Sequence, residues 1–264
     1  MKIGIFDSGM GGLSVLHRAL RMLPEADFLY YADEEHVPYG EKTREQVRGY
    51  IDEIIAFMIK KQVDAIVIAC NTATSVATKE YRSQFPLPIV GMEPAVKKAV
   101  EEYADRPGRI LVAATPITIQ GDKLHHLVDR VDKRDMVDLV ALPKLVRFAE
   151  QEIFDQDQIV PYLKEALKDY PLEEYKAFVL GCTHFNYFKD SFAKLFPDDI
   201  EIIDGNIGVS NYLKNILIKN GVLDNNNDKL CGTVEYYYSG RAVDDKELEH
   251  IKMLHRRLEV MRKI

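Results

Sequence analysis

The stretch Ala65-Ile66-Val67-Ile68-Ala69-Cys70-Asn71-Thr72 is an unbroken apolar run that ends in a cysteine and two polar residues. Such a run reads as a strand buried on both faces, the kind found in parallel sheets covered by helices. The pattern returns 112 residues later as Ala177-Phe178-Val179-Leu180-Gly181-Cys182-Thr183-His184. Two more pairs keep nearly the same spacing. Lys2–Phe6, with Ser8 after it, is echoed 107 residues on by Arg109–Ala113, with Thr115 after it. Val90-Gly91-Met92-Glu93 is echoed by Ile202-Ile203-Asp204. One such pair means little, but three in the same order imply a chain built from two related halves.

Further runs of the same character stand at Phe28–Tyr31, Pro88–Gly91, Val137–Ala141 and Glu201–Ile203, with segments of helical period between them. Ile51, Ile54, Ile55, Met58 and Ile59 form one helical stripe, and Asp244 with Glu247 reads as a capping box that starts a last helix. Residues 224–228 read as a polar loop, and Tyr236-Tyr237-Tyr238 as a half-buried strand. Alternation of strands and helices specifies an α/β protein. The reading is of two pseudo-symmetric domains, with mainly parallel sheets flanked by helices and a site in the cleft between them. Residues 1–95 plus 207–264 form the unit that carries Cys70, and residues 96–206 the unit that carries Cys182.

Composition narrows the class. At 264 residues, with 47% apolar and 29% charged residues, the chain can bury a substantial core. The net charge of −7, with basic residues interleaved among acids, argues against a nucleic-acid partner, which requires a concentrated positive surface. No apolar run is long enough for a membrane span, and no leader-like stretch precedes the first strand, so the expected location is cytoplasmic. Three cysteines are too few and too scattered for a disulfide framework. Cys70, Cys182, His184 and Asp7 could nominally ligate zinc, but their spacing matches no metal motif. Cys231 lacks chemically active neighbours and reads as inert.

Ligands of open α/β sheets bind outside the carboxyl ends of the strands, where each half places a cysteine. Inverting a stereocentre by proton transfer needs a base on one face of a carbon and an acid on the other, with the roles exchanged in reverse. Two thiols in equivalent positions of two facing halves meet that demand, because the thiolate is a reactive base. Two structural cysteines would be the bland alternative, and the repeated strand-end placement weighs against it. Asn71-Thr72 and Thr183-His184 follow the cysteines at expected helix N-termini, where donors can hold a carboxylate. Asp7-Ser8-Gly9, followed by Gly11-Gly12, lets backbone approach a ligand; with Ser14 in the third glycine position it is not a dinucleotide fingerprint. Pro38-Tyr39-Gly40 reads as a turn whose N–H groups can meet a carboxylate. His184, two residues from Cys182, can lower the thiol pKa when protonated.

Together these residues resemble the glutamate racemase family over nearly the whole chain. The motifs occur in order: Asp7-Ser8-Gly9-Met10-Gly11-Gly12, Val37-Pro38-Tyr39-Gly40, Ala69-Cys70-Asn71-Thr72-Ala73, Met92-Glu93-Pro94 and Gly181-Cys182-Thr183-His184. The resemblance implies that Cys70 and Cys182 exchange the proton, with Cys182 the base in the L-to-D direction. It implies support of the thiols by Asp7, Glu150 and His184. It further implies contact with glutamate through Asp7, Ser8, Tyr39, Gly40, Asn71, Thr72, Thr183 and His184, and places Thr115 and Thr118 at a threonine-bearing strand end. No cofactor and no metal are implied; a homodimer, and supply of D-glutamate for peptidoglycan in a bacterium, are. The chain departs from the commoner pattern at Glu34-Glu35-His36, Leu142-Pro143 and Phe185-Asn186-Tyr187. Other readings from the residues are a racemase for aspartate or another amino acid, a hydrolase with one nucleophilic cysteine, and a non-catalytic amino-acid-binding protein.

Overall fold

The computed structural model describes residues 1–223 and 232–264. The loop read at 224–228 and Cys231 lie outside the described residues. Strands β1 (Lys2–Asp7), β2 (Asp27–Ala32), β3 (Ala65–Ile68), β4 (Ile89–Gly91), β5 (Arg109–Ala114), β6 (Val137–Ala141), β7 (Tyr175–Leu180) and β8 (Glu201–Asp204) coincide with the eight runs read from the sequence, their ends within two residues. β9 (Val234–Tyr238) contains the tyrosine run, and the two-residue β10 (Arg241–Ala242) had no sequence signal.

The strands form two sheets, ordered β10-β9-β2-β1-β3-β4 and β6-β5-β7-β8. The first four strands of each half are therefore wired identically, β2-β1-β3-β4 against β6-β5-β7-β8. All pairings are parallel except β9 with β10. This matches the mainly parallel α/β class expected. β9 joins the outer edge of the first sheet by pairing with β2. The helix Val96–Glu102 packs on β5 and β7 of the second sheet.

In each half the chain leaves the first strand in one direction for the second and returns on its other side for the third. That reversal opens a crevice at the carboxyl ends of β1 and β3, and another at those of β5 and β7. Register places Asp7 opposite Ala32, and Phe6 opposite Ile68, so Asp7, Asp33 and Cys70 emerge at one edge. In the second sheet Ala113 pairs with Leu180, so Thr115 and Cys182 emerge together.

The helices cover the sheets through apolar stripes. In the helix Arg44–Lys60, Ile51, Ile54, Ile55 and Met58 are buried, whereas Ile59 is 38% exposed. The stripe read from the sequence was thus one residue too wide: at 100° per residue Ile59 falls past the edge of the buried face. A Thr43–Gln46 capping box starts this helix, and Asp244 with Glu247 starts the last one, Asp245–Met261. Caps of this kind stabilise a helix by about 1 kcal/mol. The last helix packs on both the helix Leu13–Met22 and the 3-10 segment Thr183–Phe188, so Leu16, Phe185, Leu254 and Leu258 share one buried cluster that runs through both halves. Among the described residues no helix is long and apolar enough to cross a membrane.

Candidate active site

The two carboxyl edges face each other, and polar side chains join them. Cys70 ends β3 as the N-cap of the helix Asn71–Val76, its Sγ accepting the Ala73 N–H at 3.4 Å. Cys182 ends β7 ahead of the segment Thr183–Phe188, where the helix start expected at Thr183-His184 takes the 3-10 form. Both thiols are buried and unpaired in disulfides.

A continuous chain of contacts runs from one cysteine to the other. The Cys70 thiol points at Ser8 Oγ, 3.8 Å away, and Ser8 donates to Asp7 Oδ1 at 3.3 Å. Thr183 Oγ1 donates to Asp7 Oδ2 at 3.0 Å and lies 3.5 Å from His184 Nδ1, which lies 3.7 Å from Cys182 Sγ. Asp7, at the end of the first strand, therefore stands between the two thiols. On the far side of His184, Nε2 makes a close ion pair with Glu150 Oε1, which also accepts the Met10 N–H at 2.9 Å.

The thiols meet different fields. Burial pushes the Cys70 thiol well up, and the Asp7 carboxylate and Cys182 push it further the same way. Beside Cys182 stands His184. Burial opposes a charge on His184, but the Glu150 carboxylate and the hydrogen bond to Cys182 outweigh it and hold the imidazole well above its ordinary range. Asp7 is itself raised by burial, against the pull of His184 and its hydrogen bonds. A carbon held between the sulfurs would thus meet a protonated thiol on the Cys70 side and an imidazolium-backed sulfur on the other.

The glycines of the first motif make this crowding possible. A Cβ on Gly9 would stand 2.1 Å from Glu150 Oε1, one on Gly11 2.4 Å from His184 Nδ1, and one on Gly12 2.5 Å from the Asp7 Cβ. Only a missing side chain lets Glu150, His184 and Asp7 close on this turn.

Buried hydroxyls and amides line the rest of the junction. Thr72 Oγ1 meets Thr115 Oγ1 across the two halves at 2.9 Å, and Thr115 meets Thr118 at 3.1 Å. The backbone at Gly40 approaches Thr115 so closely that a Cβ there would be 3.0 Å from the Thr115 Cβ. Asn71 is 6% exposed, and its Nδ2 has no hydrogen-bond partner among the described residues. A buried amide left unpaired is a donor awaiting a ligand. Tyr39 is buried in the same cluster as Cys70, but its hydroxyl donates to Asp33 at 2.5 Å, which leaves the turn's backbone and not the phenol for a ligand.

Several contributors were not read from the sequence. Asp33, 2% exposed at the end of β2, holds Tyr39, His36 at 2.8 Å and Ser239 at 3.1 Å. Its position just after a strand was the available signal. Tyr30 and Tyr187 donate to the carbonyls of Gly9 and Met10 at 2.7 and 2.8 Å, pinning the glycine turn from both halves. Glu34 sits beside the Glu150–His184 pair, and burial first, then Glu150, push its carboxyl up to about 8. Among the described residues no group of three or more His, Cys, Asp or Glu side chains is arranged to hold a metal ion.

The chain is similar to known proteins. The Asp/Glu/Hydantoin racemase family matches residues 8–207. A glutamate racemase of Lachnospira eligens is 56% identical over 265 aligned residues, covering 100% of both chains. The crystal structure of a glutamate racemase isoform from Bacillus anthracis superposes with a TM-score of 0.80 at 27% identity, covering 94% of this chain and 91% of that one. One from Francisella tularensis in complex with D-glutamate gives a TM-score of 0.80 at 26% identity, covering 97% and 93%. With a match over most of its length and a relative of this identity, the chain belongs to the Asp/Glu/Hydantoin racemase family of isomerases.

Proposed function

We propose that this protein is a glutamate racemase that interconverts L- and D-glutamate by a two-base mechanism, with Cys70 and Cys182 as the acid–base pair. The observation that carries the reading is the chain Cys70–Ser8–Asp7–Thr183–His184–Cys182, which hangs two strand-end thiols from equivalent places in two identically wired sheets.

In the L-to-D direction the Cys182 thiolate, backed by the His184 imidazolium, takes the Cα proton. The Cys70 thiol, kept protonated by burial and by Asp7, delivers its own proton to the opposite face. The products are D-glutamate, a Cys70 thiolate and a Cys182 thiol, and the D-to-L direction runs the same steps backwards. Glu150 keeps His184 charged and oriented, a positioning role. Asn71, Ser8, Thr72, Thr183 and the Tyr39-Gly40 backbone hold the carboxylates and the ammonium group, with Thr115 and Thr118 closing the rim. Glutamate is the preferred substrate because the relative of highest identity named above carries that name. Residues 1–95 plus 207–264 and residues 96–206 act as the two domains on this reading. It also carries cytoplasmic supply of D-glutamate for peptidoglycan by a homodimer.

Circular dichroism of each pure enantiomer, with glutamate and aspartate side by side, tests the proposal. Cys70→Ala and Cys182→Ala should each abolish racemisation of glutamate, and the wild type should turn glutamate over faster than aspartate. Appreciable turnover in either variant contradicts the two-base assignment, and faster turnover of aspartate contradicts the substrate.

A further inference from the structure

A separate cavity of about 160 Å³ lies between the helix Leu13–Met22, the segment Thr183–Phe188 and its continuation, the helix Asn206–Lys219 and the end of the last helix. None of the residues assigned above to substrate or proton transfer lines it. Its wall is basic, with Arg18 and Arg21 from one side and Lys189 and Arg262 from the other, and His17 beside them. Two carboxylates answer these charges. Asp204 takes Lys189 at 3.0 Å, and Glu259 is shared by Arg21 at 3.0 Å, His17 at 3.0 Å and Arg262 at 2.6 Å. Four permanent cations against two anions leave an excess of positive charge at a small opening.

Two groups there lack partners. Among the described residues the buried Arg18 Nε has no hydrogen-bond partner, and Arg18 has no carboxylate to pair with. Ser14 is 4% exposed, and its hydroxyl is buried and equally unpaired. Both residues line the cavity. A guanidinium N–H and a hydroxyl buried without partners cost free energy unless a ligand completes them. The first turn of the helix Asn206–Lys219 also lines the space, with the Asn206 N–H donated to Asp204 Oδ1 at 2.9 Å. The guanidinium of Arg18 and the hydroxyl of Ser14 on the wall of one small, net-positive cavity suit a tetrahedral oxyanion.

We infer that this cavity is a binding site for a phosphoryl group, as free phosphate or as the end of a small phosphate monoester, held by Arg18 and Ser14. The occupant ties the first helix of one half to the segment that carries Thr183 and His184. Asn186, on the cavity wall, donates its Nδ2 to the Thr183 carbonyl at 3.1 Å, so the bound group braces the backbone under the active site from behind.

Thermal unfolding of the full chain, read against phosphate, glycerol phosphate and sodium chloride at matched ionic strength, tests this. A ligand that binds the folded state alone raises Tm saturably. Wild type should show such a rise with phosphate or the monoester and none with chloride; the tighter of the two identifies the source. Arg18→Gln should move the midpoint concentration up roughly tenfold and Ser14→Ala roughly threefold. Without ligand Arg18→Gln should be no less stable than wild type, because it removes a guanidinium whose buried Nε has no partner among the described residues. Racemisation by both variants in ligand-free buffer should persist, which separates failure here from failure of the catalytic reading. No saturable rise in wild type, or an unchanged midpoint in both variants, overturns the proposal.

Discussion

Replacing Glu150 by Gln is the sharpest single probe of the electrostatics around Cys182. The amide keeps the shape of the side chain and can still accept the Met10 N–H, now at 2.9 Å, while losing the charge that faces His184 Nε2. The side chains of His184 and Glu150 are only 2% and 13% exposed, so water cannot compensate. Removing one partner of a buried ion pair costs on the order of 3–5 kcal/mol, and retention of the Met10 bond puts the expected loss of stability near the lower end. Without Glu150 the burial of His184 prevails, and the ring goes neutral. The Cys182 thiolate then loses its cation, and turnover should fall by roughly 10²-fold or more, the usual scale for a disabled acid–base group. The enantiomers have equal free energy in water, so the equilibrium constant is unity and kcat/KM must fall equally in both directions. A difference between directions can appear only in kcat and KM separately. The pH dependence supplies a second check. The folded pKa of His184 is raised, so the pair's stabilisation is complete below about 6.5, the ordinary value, and is lost as pH rises through the elevated folded value. Denaturant melts from pH 6 to 10 should show that slope in wild type and not in the variant. A variant with kcat/KM within threefold of wild type and an unchanged pH profile would refute the reasoning.

Two other changes probe the surroundings. Glu34 has a folded pKa raised to about 8, so the stability tied to its protonated form is present at acid pH and lost as pH climbs through that value. Glu34→Gln should therefore gain on wild type with rising pH, by on the order of 2–4 kcal/mol at pH 9, and a constant gap in urea midpoints between pH 5 and pH 9 would count against it. Gly11→Ala would put a methyl group 2.4 Å from His184 Nδ1 and 2.5 Å from Thr183 Oγ1, displacing both while leaving the core intact. The expected result is a fall in kcat/KM of at least about tenfold with a stability loss of about 1–3 kcal/mol; native kinetics would show that the close approach is immaterial.

The fold was legible because parallel strands buried on both faces advertise themselves as short β-branched runs, and because the chain says the same thing twice. Cys70 and Cys182 gained meaning from that duplication, since neither has a local motif specific enough alone. The rest of the site is tertiary. Glu150 lies in Phe148-Ala149-Glu150, which carries no local sign of chemistry, and it is joined to His184 only when the helix Pro143–Glu150 packs against the glycine turn. Tyr187 and Met10 meet across the junction of the two sheets, a contact no periodicity encodes. Asp33 and Glu34 follow β2 in a run of acidic residues, and Asp33 is held inward by bonds from Tyr39 and Ser239 that lie far from it in sequence or carry no local pattern. The 3-10 course of Thr183–Phe188 was hidden for a related reason. Its six residues are all buried and packed by the last helix, and none is a strong α-helix former.

Solvent hydrogen exchange at Cα separates two bases from one. In deuterium oxide, starting from pure L-glutamate and sampling before equilibrium, deuterium should enter D-glutamate while the remaining L-glutamate stays unlabelled, with the mirror result from D-glutamate. Early labelling of recovered substrate at the same rate as product would mean that one group serves both faces, and the opposed thiols would have no role in inversion.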